Sequence, residues 1–370
     1  MKSVWLFVMT FCTLEASMAQ SSKYSNEFLQ IGVGARAMAM GGAAVASSKN
    51  IYAGYWNPAA LTHCKSKSIA LMHAAYFAGI ANYDYGAWAS PTGKSSTIGI
   101  QFIRFGIDGI ANTYDLIKNG EIDYSRVSSF NTTDFAALIS YAKPITIRGK
   151  KALEASLGGN VKFIKRSIGP FAKGSGFGID LAYHVHNKKK LWDFAVVLRD
   201  ATSTYNSWQY HFTDNQKYIL AATNNVIPKQ SIELTLPRLF LAYAKTWQKN
   251  DWDFLLEANL CTTFDGERNT FIHNKAFSTD PNVGLEIAKH INDDNAFFIR
   301  LGCNNYQTFQ LNGHQSRSVM PHAGIGLALG PFQIDYALTN LVALSSQSAN
   351  LYSNIFSLKF DIDKEKTSKQ

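Results

Sequence analysis

The sequence predicts an all-β protein, a fourteen-stranded antiparallel β-barrel that crosses a membrane and carries an N-terminal Gly/Ala-rich plug segment. Composition gives the first indication, because only 17% of the residues are charged while 13% are aromatic, against roughly 25% charged in ordinary soluble domains. The mean hydropathy of −0.11 is too low for a bundle of transmembrane helices. Stretches of alternating apolar and polar residues, the pattern of a barrel wall, are the third indication.

The N-terminus predicts export. Lys2 precedes an apolar stretch over residues 4–14, and Ser17 and Ala19 provide small residues for cleavage before Gln20. This pattern is typical of a signal peptide, here residues 1–19. Since no later apolar run is long enough for a spanning helix, an exported chain of this kind enters lipid only as a closed barrel. We therefore expect a protein of the bacterial outer membrane, surrounded by lipid.

Residues 20–67 predict a plug. The part over 28–61 is dense in Gly and Ala and has no long alternation, which suits a chain packed where space is limited, such as a barrel lumen. We expect Arg36 to pair with an inward carboxylate, because a buried guanidinium needs a partner; a solvated Arg36 on the periplasmic side is the alternative. Asn57 stands before Pro58 and is expected to end a helix.

Residues 68–362 predict the barrel. Phe177, Ile179 and Leu181 fall on one face of a strand, and Gly178 and Asp180 fall on the other. The same template predicts strands at 68–77, 82–90, 95–105, 133–143, 152–166, 174–186, 191–199, 231–247, 251–262, 280–290, 296–303, 320–329, 332–339 and 353–362. The charged end, 363–370, is expected to be disordered.

The connections between these strands are predicted to be of two kinds. Short turns follow the even-numbered strands, and long polar loops are expected at 106–132, 200–230, 263–279 and 304–319. Such sorting is typical of outer-membrane barrels, whose periplasmic turns are short. Aromatic residues near the short turns predict an interfacial girdle: Trp88, Tyr141, Trp192, Trp247, Trp252, Phe297 and Phe332.

Charges of both signs fall at positions expected to face the lumen, where they would hold a plug. They are Glu154, Lys162, Asp180, Asp253, Glu257, Glu286, Arg300 and Asp335, with Gln101 and Arg104 also placed inward. His184 and His186 share a face without a third ligand, so no metal site is predicted. No catalytic constellation or cofactor motif is present, so we expect neither an enzyme nor a cofactor. The net charge of +9 is spread along the chain and does not indicate nucleic acid.

Aromatic residues in the predicted loops indicate a recognition surface. Tyr205, Trp208, Tyr210 and Phe212 lie in 200–230, and Tyr114 lies in 106–132. A loop folded over the mouth of the barrel is the alternative.

The N-terminal segment also resembles a known family. Gly34-Ala35-Arg36-Ala37-Met38-Ala39-Met40-Gly41-Gly42-Ala43, followed by Trp56-Asn57-Pro58-Ala59-Ala60-Leu61, is similar to the opening of the PorV/PorQ outer-membrane proteins of Bacteroidetes, which are related to the FadL fatty-acid channels. The resemblance implies a fourteen-stranded barrel with Gly34, Ala35, Arg36, Met38, Gly41, Gly42, Asn57 and Pro58 in its plug.

That resemblance further implies a role in type IX secretion without catalysis. The barrel would bind the C-terminal sorting domain of secreted cargo and pass it from the translocon to the cell-surface attachment complex. A FadL-like channel for hydrophobic small molecules is the alternative.

Overall fold

One β-sheet closes on itself to form the protein. The computed structural model describes residues 25–93, 95–118, 121–228, 230–311, 314–339 and 352–362. The first strand, β1 (Ser68–Tyr76), pairs with its sequence neighbour β2 (Ala81–Thr92) and with the last strand, β14 (Ser353–Asp361), both antiparallel. The predicted signal peptide over 1–19 and the predicted disordered tail over 363–370 lie outside the described residues.

Fourteen antiparallel strands form the wall, as predicted. Between the strands already named lie β3 (Ser96–Asn112), β4 (Ser128–Ile145), β5 (Leu153–Ile168), β6 (Ala172–Asn187), β7 (Trp192–Arg199 with Thr204–Tyr210), β8 (Ser231–Thr235 with Arg238–Lys249), β9 (Trp252–Thr263), β10 (Ser278–His290), β11 (Asn295–Leu311), β12 (His314–Leu329) and β13 (Phe332–Thr339). Short strands at Ile117–Lys118 and Glu121–Ile122 pair with each other outside the wall, and a third at Ile272–His273 pairs with the start of β10.

Two neighbouring strands, β7 and β8, are interrupted at the same level of the barrel. In β7 the break holds Asp200 and Ser203, both with positive φ, of 53° and 60°. In β8 the break contains Pro237, which has no N–H to donate to a ladder. Pairing resumes beyond both breaks, since 204–208 pairs with 231–235. Each interrupted strand is therefore counted once among the fourteen.

The alternation of the sequence becomes an apolar exterior and a polar interior. Leu157, Phe163 and Leu181 point outward and are 49%, 49% and 54% exposed, whereas the inward Ser156 and Asn160 are buried. An outward face of this kind suits lipid. Six of the aromatic residues predicted as a girdle are exposed near the short turns, namely Trp88, Tyr141, Trp247, Trp252, Phe297 and Phe332, and Trp192 is half-buried.

Helices are few and short: α1 (Ala35–Ala39) and α2 (Ala53–Trp56) in the N-terminal segment, and α3 (Asp214–Ala222) in the connection between β7 and β8, at the end of the barrel expected to be extracellular. Single 3₁₀ turns occur at Glu27–Gln30, Pro58–His63, Phe77–Gly79 and Tyr124–Arg126. Thr213 and Gln216 cap the start of α3 reciprocally, side chain to backbone. No helix among the described residues is long and apolar enough to cross a membrane.

Three of the predicted long loops are wrong in extent. Strand β3 continues to Asn112, β7 resumes over Thr204–Tyr210, and β11 and β12 together occupy almost all of 304–319 as a hairpin. The apolar alternation stops before the strands end, but the backbone ladder continues beyond it. Polar strand ends of this kind read as loops in the sequence.

Arg104 was predicted to face the lumen, and this was wrong. Its neighbours Gln101 and Ile103 are fully buried inside the barrel, so Arg104 lies on the outer face of β3. Gln101 and Arg104 are three residues apart and cannot share one face of a regular strand.

Candidate functional site

The N-terminal segment crosses the lumen. Helix α1 contacts β11 to β14 on one side of the barrel, and the turn at Pro58–His63 contacts β3 to β6 on the opposite side. Glycines in the wall permit this approach: a Cβ at Gly158 would collide with the backbone at Ala59, and one at Gly302 would collide with the backbone at Met40. The segment thus fills the lumen at backbone-to-backbone distance on both sides.

The residues that carry the family resemblance hold this segment together. Gly34, Gly41 and Gly42 have φ values of 83°, 64° and 78°, in the left-handed region that favours glycine. Trp56 Nε1 donates to the carbonyl of Val33 at 2.8 Å. Asn57 Nδ2 donates to the carbonyl of Val45 at 3.0 Å, while its Oδ1 accepts from the N–H of Ala59.

Two further motif residues connect the segment to its surroundings. The N–H of Ala35 donates to Ser357 Oγ at 3.1 Å, and Met38 lines a cavity described below. Pro58 begins the 3₁₀ turn directly after Asn57, where its missing N–H is not needed.

Arg36 joins the segment to the wall through a buried ion-pair network. Its Nε lies 2.8 Å from Glu286 Oε2, and its Nη2 lies 3.0 Å from Oε1. Arg300 also pairs with Glu286 and reaches Asp335 Oδ1 at 2.7 Å. Since buried charges need compensating partners, this chain of two cations and two anions is balanced within itself.

Glu257 anchors the segment differently. Its carboxylate accepts from the backbone N–H groups of Ala46 and Ser47 at 2.8 and 3.0 Å. On the next turn of the segment, the carbonyl of Gly54 accepts from Asn160 Nδ2 at 3.0 Å. Wall side chains therefore satisfy backbone groups that the irregular segment leaves open.

The remaining predicted lumen charges fall into two places. Lys162 is buried in the wall between Asp180, at 2.8 Å, and Asp200, which lies at the break in β7. Glu154 and Asp253 lie near the periplasmic turns instead and pair there with Lys188 and His290.

A histidine cluster lies at the periplasmic end of the segment. Asp193 of the wall is 2.9 Å from Lys49 Nζ of the segment and 2.9 Å from His186 Nδ1, and the ring of His63 packs against those of His184 and His186. Burial, together with the electrostatic influence of His184 and Lys49, lowers the pKa of His63 to about 3. No group of three or more His, Cys, Asp or Glu among the described residues is placed to hold a metal ion.

Above the segment lies a vestibule, a cavity of about 480 Å³ whose floor includes Met38 and Trp56. Arg199 is buried in the wall of the vestibule between three aromatic rings. Its guanidinium carbon lies 4.5 Å from the ring centroid of Tyr55, 5.6 Å from that of Trp56 and 4.7 Å from that of Phe240. Its Nη2 donates to the carbonyl of Tyr55 at 3.2 Å. Within the described part of the chain Arg199 forms no ion pair.

The other two vestibule arginines are paired. Arg238 and Arg268 both contact Glu27, and Arg268 also contacts Asp265. The vestibule therefore holds an apolar floor, a cation without a carboxylate of its own, and two cations that share their acids. Arg199 was not predicted as a site residue. It ends the first part of β7, and nothing in the sequence around it indicates the three aromatic rings that enclose it.

A second cavity, of about 830 Å³, lies at the extracellular end between residues 111–117 and α3. Phe171 is the centre of an aromatic cluster that lines this cavity. Its ring centroid lies 5.3 Å from that of Tyr114, 5.1 Å from that of Phe130 and 6.0 Å from that of Phe212. Tyr210 stacks on Phe212 at 6.4 Å. The predicted recognition residues Tyr114, Tyr210 and Phe212 are thus brought together, and Phe130 of β4 and Phe171 of the turn between β5 and β6 join them.

Tyr205, Trp208 and Tyr210 were predicted in a loop but lie on the upper part of β7. Trp208 is buried, donating from Nε1 to Glu233 at 2.7 Å beneath the guanidinium of Arg166. Tyr205 lies on the opposite face of the strand, 52% exposed and away from the cavity. Successive side chains of a strand point to opposite faces, so Tyr205 cannot join the aromatic residues on the face of Trp208 and Tyr210.

Solved structures with a similar fold include a toluene transporter, a monoaromatic hydrocarbon channel and a FadL homologue. The toluene transporter TbuX of Ralstonia pickettii matches with a TM-score of 0.52 at 10% identity over 89% of this chain and 98% of its own. The monoaromatic hydrocarbon channel CymD has a TM-score of 0.51 at 11% identity, covering 90% and 98%. A Pseudomonas aeruginosa FadL homologue has a TM-score of 0.51 at 9% identity, covering 89% and 98%.

The chain has the FadL fold. Identities this low establish the fold alone. No protein-family model matches the sequence, and no curated protein matches it. The fold and the N-terminal segment ahead of the barrel agree with what the sequence resemblance implies for the architecture.

Proposed function

We propose that this FadL-like outer-membrane barrel takes up a small amphipathic molecule, hydrophobic in body and anionic at one end. The observation that carries the proposal is Arg199, a buried guanidinium in an aromatic cage that opens on the vestibule without an ion-pair partner among the described residues. A buried charge left in this state is costly, and a carboxylate ligand would offset that cost.

The lumen charges do not oppose this proposal. Glu286, Arg300, Asp335 and Arg36 neutralise one another, and Lys162 is neutralised inside the wall. The vestibule offers a ligand the apolar side chains of Ile31, Met38, Trp56 and Phe240 beside the arginines, and the rest of its lining is polar, with Asp280, Asn282, Asn304 and Asn305 among it. The aromatic cavity at the extracellular end supports a first binding place for an apolar molecule, since such sites are concave and largely apolar.

Binding measurements test the vestibule. Displacement of a fluorescent fatty-acid analogue from the purified full-length protein by dodecanoate and by dodecanol compares ligands that differ in the charged end alone. We expect dodecanoate to bind more tightly than dodecanol, and Arg199→Gln to remove that preference. Lys165→Gln, which removes an exposed positive charge from the outer face of β5, is the matched control. Equal binding of the two ligands to the unmodified protein would refute the proposal.

A second candidate is a carrier in type IX secretion that binds the C-terminal sorting domain of cargo and contacts translocon or attachment-complex subunits. The resemblance of residues 34–43 and 56–61 to the PorV/PorQ opening favours it. Gly34, Arg36, Trp56 and Asn57 make contacts within the segment or to the wall, so their presence supports the plug architecture. Their presence does not distinguish cargo binding from small-molecule uptake.

The extracellular end offers a surface for that second candidate. Tyr218 and Val226 beside the aromatic cavity are 73% and 89% exposed. Exposed aromatic and aliphatic side chains around a cavity suit a protein segment as well as a small molecule. Co-purification from native membranes separates the candidates. Recovery of secreted proteins with sorting domains supports the second candidate, and recovery of a bound small amphipathic molecule supports the first.

A further inference from the structure

Two opposite charges of the vestibule are left without a partner. Arg199 is one of them, as described above. The other is Asp280 of β10, a half-buried side chain that lines the same cavity and forms no ion pair among the residues that the structure describes. Both charges therefore lack the compensation that a charge away from bulk water needs.

The remaining charged side chains of the lining are balanced. Glu27, Arg238 and Arg268 line the vestibule and belong to one network, which Asp265 completes. This network contains two cations and two anions and is neutral in itself. A ligand with a carboxylate alone would compensate the unpaired cation and leave the unpaired anion as it is, whereas a ligand that carries both signs would compensate each.

Backbone groups hold the Asp280 carboxylate in place. Its Oδ1 accepts from the N–H of Tyr306 at 3.2 Å, and the N–H groups of Phe271 and Asn305 also donate to this side chain. These hydrogen bonds orient the carboxylate, but none of the donors carries a full charge. A cation arriving from the cavity would add a charge-assisted hydrogen bond, which is stronger than a neutral one.

The ladder of the barrel wall fixes how far apart the two charges lie. Phe240 of β8, Cys261 of β9 and Asp280 of β10 are directly paired neighbours at one level of the wall. Two strand spacings of about 4.8 Å place Phe240 and Asp280 about 10 Å apart. The guanidinium carbon of Arg199 lies 4.7 Å from the ring centroid of Phe240, so the two charges face the cavity from places roughly this far apart.

The space between the two charges suits an apolar chain. Cys261 lies between them in the wall, and Met38 and Trp56 of the plug lie in the floor. An α-amino acid, whose two charges share one carbon atom, is too short to reach both groups. We propose that the vestibule ligand is a zwitterion with an apolar body, a carboxylate held by Arg199 and an ammonium group held by Asp280. This inference rests on the proposed uptake function and names its substrate class more closely.

Two ligands that differ at one end test the proposal. Octanoate and 8-aminooctanoate are used to displace a fluorescent fatty-acid analogue from the purified full-length protein. A purely apolar site would bind 8-aminooctanoate more weakly, because its ammonium group loses water on binding. We expect the opposite order here, with 8-aminooctanoate bound about tenfold more tightly than octanoate, which is the effect of one charge-assisted hydrogen bond.

Asp280→Asn isolates the contribution of the anion. The amide keeps an oxygen that accepts from the N–H of Tyr306, so we expect the variant to bind octanoate as the unmodified protein does and to lose its preference for 8-aminooctanoate. Asp253→Asn makes the same replacement near the periplasmic turns and is the matched control, which is expected to keep the preference.

The outcomes separate this inference from the uptake proposal. Equal or weaker binding of 8-aminooctanoate to the unmodified protein, or a preference that persists in Asp280→Asn, would overturn the zwitterion. Octanoate binding that is lost from Arg199→Gln would then still support uptake of an anion, whereas a protein that binds neither ligand would refute both proposals.

Discussion

Arg36 of the N-terminal segment grips Glu286 of the barrel wall through two parallel contacts, Nε to Oε2 at 2.8 Å and Nη2 to Oε1 at 3.0 Å. This pair joins a segment of short helices and turns to the sheet of the wall. Because Glu286 also holds Arg300, the segment shares the network that fixes the wall itself. Electrostatic pairing therefore helps to set the position of the plug, together with packing.

Replacement of Arg36 by Ala is expected to open the barrel. The plug loses its charged contact, and the free energy of unfolding is expected to fall by about 3 kcal/mol, the lower end of the range for breaking a buried pair, because Glu286 keeps Arg300. Single-channel recordings in planar bilayers should show open events that the unmodified protein lacks. Lys188→Ala breaks an exposed pair with Glu154 and serves as the control. Closed recordings from Arg36→Ala would argue against the plug role.

Gly302→Ala is expected to displace the plug from β11. The new methyl group would overlap the backbone at Met40, so either segment or strand must shift, at a cost of about 1–3 kcal/mol. Protease cleavage within residues 35–45 should become faster in the variant. Gly86→Ala adds the same methyl group on an open outer surface, with its nearest contact at 3.8 Å. Equal cleavage of the two variants would show that the close approach at Gly302 is not needed.

Acidification is expected to loosen the periplasmic end of the plug through His63. Burial, His184 and Lys49 hold the pKa of His63 at about 3 in the folded protein, below its usual 6.5. Its stabilising contribution is therefore full above the unfolded pKa and declines as the pH falls from about 6.5 toward 3, since the unfolded chain binds the proton more readily.

The groups that face His63 are His184, His186, Lys49 and Asp193. Denaturation midpoints between pH 8 and about pH 4 should fall less steeply in His63→Gln than in the unmodified protein. His273→Gln, which removes a histidine on the extracellular side, is the control. An identical pH dependence in His63→Gln would show that this residue does not contribute.

Phe171→Ala is expected to weaken apolar ligands at the extracellular end. Phe171 contacts Tyr114, Phe130 and Phe212, so its loss removes the centre of the aromatic cavity. Losing these ring contacts should weaken binding of an apolar fluorescent probe by roughly tenfold, as one aromatic anchor commonly contributes. Tyr205→Ala removes an exposed ring from the other face of the sheet and should leave binding unchanged. Equal binding to the two variants would exclude the cavity as the probe site.

The barrel was predictable because each lipid-facing residue must be apolar and each strand repeats that demand with a period of two. Leu157, Val161 and Phe163 obey it, and the strand was found within two residues of its ends. The outer part of the hairpin formed by β11 and β12 was not predicted. Polar residues occupy both faces of the strands there, so the sequence shows no alternation. Arg104 was misplaced because a charged side chain on the outer wall contradicts the same rule.

The sites were less predictable because they depend on approach between distant segments. The vestibule joins Trp56 of the plug with Arg199 and Phe240 of the wall, and nothing in the local sequence of Arg199 indicates its three rings. Phe171 was missed for the same reason, since its partners come from three other segments. Gly158 and Gly302 were the signal available for the plug, as glycines inside strands often mark a close backbone approach.

Extraction of the protein from its native membranes, followed by mass spectrometry of what remains bound, tests the uptake proposal most directly. We expect a small hydrophobic carboxylate or a similar anion to be recovered with the unmodified protein and to be lost from Arg199→Gln. Recovery of secreted proteins bearing sorting domains, in the absence of any such molecule, would contradict it.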